Sequence, residues 1–179
     1  MLSSDDRQAL LTLARRVIEA TARRESGSIS RPGGSTILDE PRGAFVTLHE
    51  GGALRGCIGY VEPTEPLWQV VAHAAEAACT RDPRFAPVRE SELPAIDLEI
   101  SVLGLPEPIS GAADIEIGRD GLILELGSAR GLLLPQVAPE WGYGPEEFLD
   151  ALCRKAGLPP GAWRESGARL YRFSAEVFS

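Results

Sequence analysis

The 179-residue chain has no asparagine, one lysine (Lys155), two histidines (His49 and His73) and three cysteines (Cys57, Cys79 and Cys153). No CxxC pair occurs, which removes the zinc ribbon and the thioredoxin-like redox motif. Two scattered histidines do not suggest a metal site. Positive charge is also short: 18 Lys and Arg stand against 26 Asp and Glu, a net charge of −8. A phosphate-backbone binder carries a basic face, so nucleic acid is not an expected partner. No apolar run reaches the roughly 18–20 residues that cross a bilayer, so no membrane association is expected. The start, Leu2-Ser3-Ser4-Asp5-Asp6, lacks a basic segment leading into an apolar stretch. With three thiols, that fits a cytoplasmic protein. No P-loop or dinucleotide fingerprint occurs, and Gly142-Tyr143-Gly144 reads as a turn.

What is present is ordinary for a globular protein: 44% apolar and 25% charged residues, in a chain long enough for one domain with its own core. Ser3 and Asp6 have capping-box spacing. Behind them Leu10, Leu13, Ala14, Val17 and Ile18 recur with a helical period over roughly residues 5–25. Ser26 to Arg42, with Gly27, Pro32, Gly33, Gly34 and Pro41, reads as a loop. GAFVTLHE and ALRGCIGY flank Gly51-Gly52 and form a hairpin with a primed turn. Pro66 opens a helix to about Thr80, whose alanines suit close packing on a sheet. Residues 96–103 alternate as a half-buried strand. Two further strands, Leu122–Leu126 and Leu132–Leu134, surround a turn at Gly127–Gly131. A short helix runs from Pro145 to near Gly157, and Arg169–Phe178 forms the last strand. Without a regular βαβ beat, the pattern predicts an α+β fold with a largely antiparallel sheet and flanking helices.

A regular two-residue hairpin pairs Glu50 with Ala53, Leu48 with Arg55, Val46 with Cys57 and Ala44 with Gly59. One face then carries Ala44, Val46, Leu48, Arg55, Cys57 and Gly59. The other carries Phe45, Thr47, His49, Leu54, Gly56 and Ile58. Arg55 and Cys57 point the same way, roughly 6.5–7 Å apart along the strand. A guanidinium beside a thiol favours the thiolate. Gly56 and Gly59 mark a bulge, or a place where a backbone or a ligand comes close. These features outline an anion or small-molecule site with a candidate nucleophile. The plainer reading, which spacing alone favours, is that Cys57 is a small core residue and Arg55 holds a structural carboxylate.

Leu54-Arg55-Gly56-Cys57-Ile58-Gly59 resembles the signature hexapeptide of the AMMECR family, known in prokaryotes as AmmeMemoRadiSam system protein A. Asp82-Pro83-Arg84-Phe85, Leu98-Glu99-Ile100-Ser101-Val102-Leu103, Leu133-Leu134-Pro135-Gln136-Val137-Ala138 and Lys155-Ala156-Gly157-Leu158 match its further motifs, over roughly residues 10–178. The resemblance implies a single AMMECR domain over 1–179 with two unequal subdomains, the hexapeptide on the larger. It also implies a Memo-like protein and a radical SAM protein as associates, and brings no established reaction. Asp120 stands where family members often have histidine.

Among the remaining candidates, Asp82 and Arg84 read either as a rim pair gripping an acidic group or as a turn with an internal salt bridge. Glu99 reads as a carboxylate that pairs with Arg55 across the sheet or as a solvated strand residue, and Asp97 as the solvated side of that strand. His49 falls on the face opposite Cys57, which argues against a Cys–His dyad within the hairpin. The tryptophans are expected to anchor packing, and no metal ligand set is assigned. Two functions follow. In the first, Cys57 is a reactive thiolate, with Arg55 its activator and Glu99 the orienting carboxylate. Gly56, Gly59, Asp82 and Arg84 then line a pocket for an unknown small molecule. In the second, the hairpin is a structural or docking element of a non-catalytic interaction module. Substrate, cofactor and the question of catalysis itself are not legible at this level.

Overall fold

The computed structural model describes residues 1–25, 29–61 and 64–179. The expected loop at Ser26–Arg42 thus begins with three residues outside the described ones, and its later part carries a 3-10 turn at Thr36–Asp39. The architecture is α+β, and every strand pairing described below is antiparallel. The chain divides into two compact units, Met1–Leu103 with Glu176–Ser179, and Gly104–Ala175.

In the first unit, α1 (Ser4–Arg23) starts at a capping box. Asp6 N–H donates to Ser3 Oγ at 3.1 Å, and Ser3 N–H donates to Asp6 Oδ2 at 3.1 Å. Buried Asp6 also accepts from Ser35 N–H at 2.7 Å, tying the following loop to the helix start. Strands β1 (Ala44–Glu50), β2 (Ala53–Tyr60) and β3 (Ile96–Leu103) form a sheet in the order β2-β1-β3. Helix α2 (Leu67–Thr80) follows β2. Both helices pack on the face that presents Val46, Leu48, Leu98 and Ile100, in one apolar cluster with Leu10, Ile18 and Val71. Each such side chain contributes about 1.5–3 kcal/mol by leaving water. The other face carries half-buried Phe45, Thr47, His49, Glu99 and Ser101 and exposed Asp97.

The alanines of α2 let its backbone reach the sheet. A Cβ on Gly56 would lie 2.4 Å from the Ala78 carbonyl oxygen, and one on Gly59 would lie 2.3 Å from the Phe45 ring. Both glycines are therefore required by packing. At Gly56 the approaching group is another backbone, one of the two alternatives its sequence position left open.

In the second unit, β5 (Asp120–Leu126) lies between β6 (Ala129–Leu133) and β7 (Arg169–Phe178), and β4 (Glu107–Ile109) pairs with β7. Helix α3 (Val137–Trp141) precedes α4 (Pro145–Lys155). Phe148, Leu149, Leu152 and Cys153 of α4 pack with Leu122, Leu124 and Leu170. The β5–β6 turn is shorter than the sequence suggested. Gly127 takes the left-handed conformation, but Gly131 sits in the ladder opposite Leu124. There a Cβ would meet the Leu152 carbonyl at 2.9 Å, so this glycine serves helix packing, not chain reversal.

Trp141 departs from the anchoring role expected of the tryptophans. It is 70% exposed at the end of α3 and stacks on Tyr143 with ring centroids 6.3 Å apart. Trp163 is held by a 3.0 Å bond from its indole N–H to Asp150.

Gly56→Ala forces the Ala78 carbonyl away from β2 and is expected to cost about 3 kcal/mol. Urea unfolding checks this, and an unshifted midpoint would contradict the close approach.

Candidate functional site

The site is built on the hairpin. Gly51 and Gly52 have φ of 58° and 80°, the left-handed pair that a type I′ turn demands. Glu50 pairs with Ala53 and His49 with Leu54, as expected, but Leu48 then pairs with Gly56. Arg55 is the extra residue of a β-bulge. Every pair beyond it shifts by one: Thr47 faces Cys57, Val46 faces Ile58, Phe45 faces Gly59 and Ala44 faces Tyr60.

This corrects the face assignment made from a regular hairpin. Cys57 shares its face with Phe45, Thr47 and His49, not with Val46 and Leu48. The cause lies in what α2 can accept. A regular ladder would turn Gly56 away from the point where the Ala78 carbonyl approaches, and only glycine fits there. The bulge turns Gly56 and Ile58 inward and puts Cys57 on the polar face, while Arg55 is left out of the ladder and its charge reaches the buried Cys79 thiol of α2. It also removes the objection to His49, which stands on the Cys57 face.

Cys57 is half-buried, whereas Cys79 and Cys153 are buried. Burial pushes the Cys79 thiol up to about 12 and raises that of Cys153. Thr47 Oγ1 donates to Cys57 Sγ at 3.3 Å. Across the sheet Thr47 pairs with Glu99 and His49 with Asp97. Cys57, Thr47 and Glu99 thus form one row on three successive strands.

The backbone of Cys57 is held by Asp82. Its N–H donates to Asp82 Oδ2 at 2.9 Å, and so points away from β1. The Thr47–Cys57 pair is therefore of the type that exchanges no backbone hydrogen bonds, in which side chains stand closest. Strand β2 is the edge of this sheet, and Asp82 fills one of its open donors. The buried Asp82 carboxylate also takes a two-pronged bond from Arg84, at 2.9 Å from Nε and 2.7 Å from Nη2, and a third from the Arg84 N–H at 3.1 Å. The Arg84 bonds, aided by the Cys57 N–H, outweigh burial and hold the Asp82 carboxyl well below the usual carboxylate range. This is the turn with an internal salt bridge that the sequence offered as one reading.

Arg55 donates from Nε to Glu92 Oε1 at 2.8 Å, with both side chains mostly buried (14% and 21% exposed). The other Glu92 oxygen accepts from Arg89 N–H at 2.8 Å. Chiefly through Arg55, the Glu92 carboxyl is held below its ordinary value. The carboxylate orienting Arg55 is thus Glu92, from the 3-10 turn Glu90–Ala95, and not Glu99. Glu99 lies two strands from Arg55, on the far side of β1. The Phe85 ring, half-buried, lies under both guanidinium groups, 5.9 Å from Arg55 and 5.5 Å from Arg84. Asp82, Arg84 and Phe85 thus form a charged brace along the outer edge of β2.

His73 meets Glu65 at 2.9 Å and Arg81 meets Glu76 at 3.5 Å. Among the described residues, no three His, Cys, Asp or Glu side chains converge as metal ligands. A cavity of about 750 Å³ at the end of β2 is lined by Gly59 and Tyr60 with His73, Glu76 and Arg81, and its lining includes neither Cys57 nor Arg55. In the second unit, Asp120 is buried and bonded by Arg119 at 2.7 and 2.9 Å and by Glu116 N–H at 2.8 Å. It serves as a structural anion for the start of β5. Among the described residues, no helix is long and apolar enough to cross a membrane.

The sequence profile of the AMMECR1 family matches residues 11–178. A protein of Methanothermobacter thermautotrophicus is 48% identical over 183 aligned residues, covering 99% of this chain and 95% of its own. One from Thermofilum pendens is 45% identical, with 99% and 91% covered. The crystal structure of an uncharacterized protein from Pyrococcus horikoshii superposes with a TM-score of 0.79 at 42% identity, covering 94% of this chain and 88% of that one.

Among the described residues, Asp6 and Asp82 are two of the three buried carboxylates that limit the fold in acid. Burial raises the Asp6 value, and bonds from Ser35 and Ser3 overcome this and bring it to about 2. Asp82 is lowered as well. Their stabilisation is complete above the unfolded-state value near 4 and drains as pH falls through the lower folded-state values. Wild-type stability should therefore fall steeply between about pH 4 and 2. Asp82→Asn should cost about 1–2 kcal/mol at pH 7 and flatten that fall. A variant curve parallel to wild type, by urea titration at each pH, would show that Asp82 holds no such charge.

Proposed function

The chain belongs to the AMMECR1 family, and from that premise we propose that it is a small-molecule-binding or catalytic component whose reacting group is the Cys57 thiol. The observation that carries the reading is the placement of Cys57. Of the three thiols it alone is partly exposed, and its position is fixed on both sides: Asp82 holds its amide and Thr47 holds its sulfur. A buried thiol is inert, whereas an accessible one near positive charge is reactive. Arg84 stands close enough to Cys57 for their charges to interact, and Arg55, two residues before Cys57 in the hexapeptide, is held still by Glu92, a second layer that orients a working group. The family resemblance adds a Memo-like protein and a radical SAM protein as partners with which such a component would work.

One observation favours the other reading, a docking module. Arg55 and Arg84 already hold carboxylates of their own chain, and Leu54 and Tyr60 of β2 are 39% and 37% exposed. The hairpin would then serve as a braced contact surface for a partner protein.

Thiol labelling separates the two. At pH 7.5 iodoacetamide should modify Cys57 about tenfold faster than Cys79 or Cys153, and faster than the same cysteine in the urea-unfolded chain. Peptide mass spectrometry reads all three sites at once. A folded-state rate for Cys57 no higher than the unfolded-state rate would leave the docking reading. Capture of a purified Memo-like partner should then be lost in Leu54→Asp and retained in Cys57→Ser.

A further inference from the structure

We propose that His49 is the general base for Cys57, with Asp97 orienting the imidazole, so that the open face of the β2-β1-β3 sheet holds a cysteine–histidine–aspartate constellation. The inference rests on the reading of Cys57 as a reacting group and names the residues that would activate it.

The juxtaposition follows from the bulge at Arg55. Thr47 and His49 alternate onto one face of β1, and Cys57 joins that face because it pairs with Thr47. His49 is thus the diagonal neighbour of Cys57. Diagonal neighbours on paired strands lie about 7–8 Å apart between Cα atoms and less between Cβ atoms, a span that an imidazole and a thiol close between them. On the other flank, Asp97 of β3 stands directly opposite His49, where Cβ atoms are about 4.5–5.5 Å apart. The order across the three strands is sulfur, imidazole, carboxylate, as nucleophilic catalysis by an activated thiol needs.

The surroundings suit a proton transfer. His49 is half-buried, and it forms no side-chain hydrogen bond among the described residues. Both of its ring nitrogens are thus available, one to each neighbour. The charged groups that share its face are Asp97 and Glu99 on β3. Of the nearby cations, Arg84, whose charge reaches Cys57, is paired with Asp82, and Arg55 is paired with Glu92. Thr47 O–H points at Sγ and stabilises the thiolate left behind. In the step itself the imidazole takes the Sγ proton, and the sulfur lone pair forms a bond to an electrophilic carbon. With iodoacetamide as the probe, iodide leaves with the electrons of the broken carbon–iodine bond.

The pH dependence of Cys57 alkylation tests this. In His49→Gln the rate at pH 7 should fall about tenfold, and at pH 9.5 it should match wild type, because hydroxide then replaces the base. Asp97→Asn should fall in the same direction by a smaller factor. With only two histidines in the chain, His73→Gln assigns the ring signals by NMR. Cys57→Ser should then move the titration midpoint of His49 and leave that of His73 in place. A His49→Gln variant that labels at the wild-type rate at every pH overturns this inference alone, and the reactivity of Cys57 stands. If instead wild-type Cys57 labels no faster than the unfolded chain, the reading beneath it fails. Equal slowing at both pH values, with an unmoved His49 midpoint, assigns His49 a structural role and also overturns the proposal.

Discussion

The arrangement of this protein's hexapeptide turns on one steric contact, the approach of the Ala78 carbonyl to Gly56. Only a residue without a side chain fits there, so Gly56 must face α2. The hairpin, left regular from its two-glycine turn, would present Arg55 and Cys57 to the helix instead. The conflict is resolved by one unpaired residue at Arg55. Both constraints are then met: glycine and isoleucine go toward the core, and the thiol goes to the polar face. A strand so interrupted at a sheet edge is prone to slip. The bond from the Cys57 amide to Asp82 pins it, and the Arg84 fork keeps Asp82 charged while buried.

Buried carboxylates recur as the device that ties local turns to the units. Asp6 joins the start of α1 to the Ser35 loop, Asp82 joins the exit of α2 to β2, and Asp120 closes the turn before β5. In an arginine-rich, lysine-poor chain, two of the three take a planar two-pronged partner, the geometry for which guanidinium is suited and ammonium is not. Asp120 therefore has a complete account as a structural anion. The side chains proposed as functional are instead those on the other sheet face, with Cys57 and His49 at its centre.

Local chemistry made much of this legible in advance. The Ser3–Asp6 capping box, the Gly51-Gly52 turn, the alanine face of α2 and the alternation of β3 are short-range signals, and the structure contains each of them, whereas β7 forms where expected but buries Leu170 and Phe173 on opposite faces. The order of helix and strand patterns also suffices for the fold class. What stayed hidden was long-range. The bulge depends on a carbonyl 22 positions away in the chain (78 − 56 = 22), so strand alternation alone put Cys57 on the wrong face and separated it from His49. The partner of Arg55 was sought on the neighbouring strands, because Glu99 sits in a clear periodic segment. Glu92 lies in a 3-10 turn that leaves no period to read. The three-residue β4 and the five-residue α3 are likewise too short for a pattern to accumulate. Glycine was read correctly as a close-approach signal at Gly56, and the sequence could not say whether the approaching group was backbone or ligand.

The pairing of Cys57 decides every functional statement above, and a designed disulfide reads it directly. Directly opposed residues in a pair without backbone hydrogen bonds have a separation a disulfide can bridge, whereas residues on opposite faces do not. Thr47→Cys and Val46→Cys, each oxidised under the same mild conditions and analysed by peptide mapping, give opposite answers for the two registers. The bulged register predicts an intramolecular disulfide to Cys57 in Thr47→Cys and a free Cys57 in Val46→Cys. A disulfide in Val46→Cys with none in Thr47→Cys would restore the regular hairpin, and would return Cys57 to the face beneath α2.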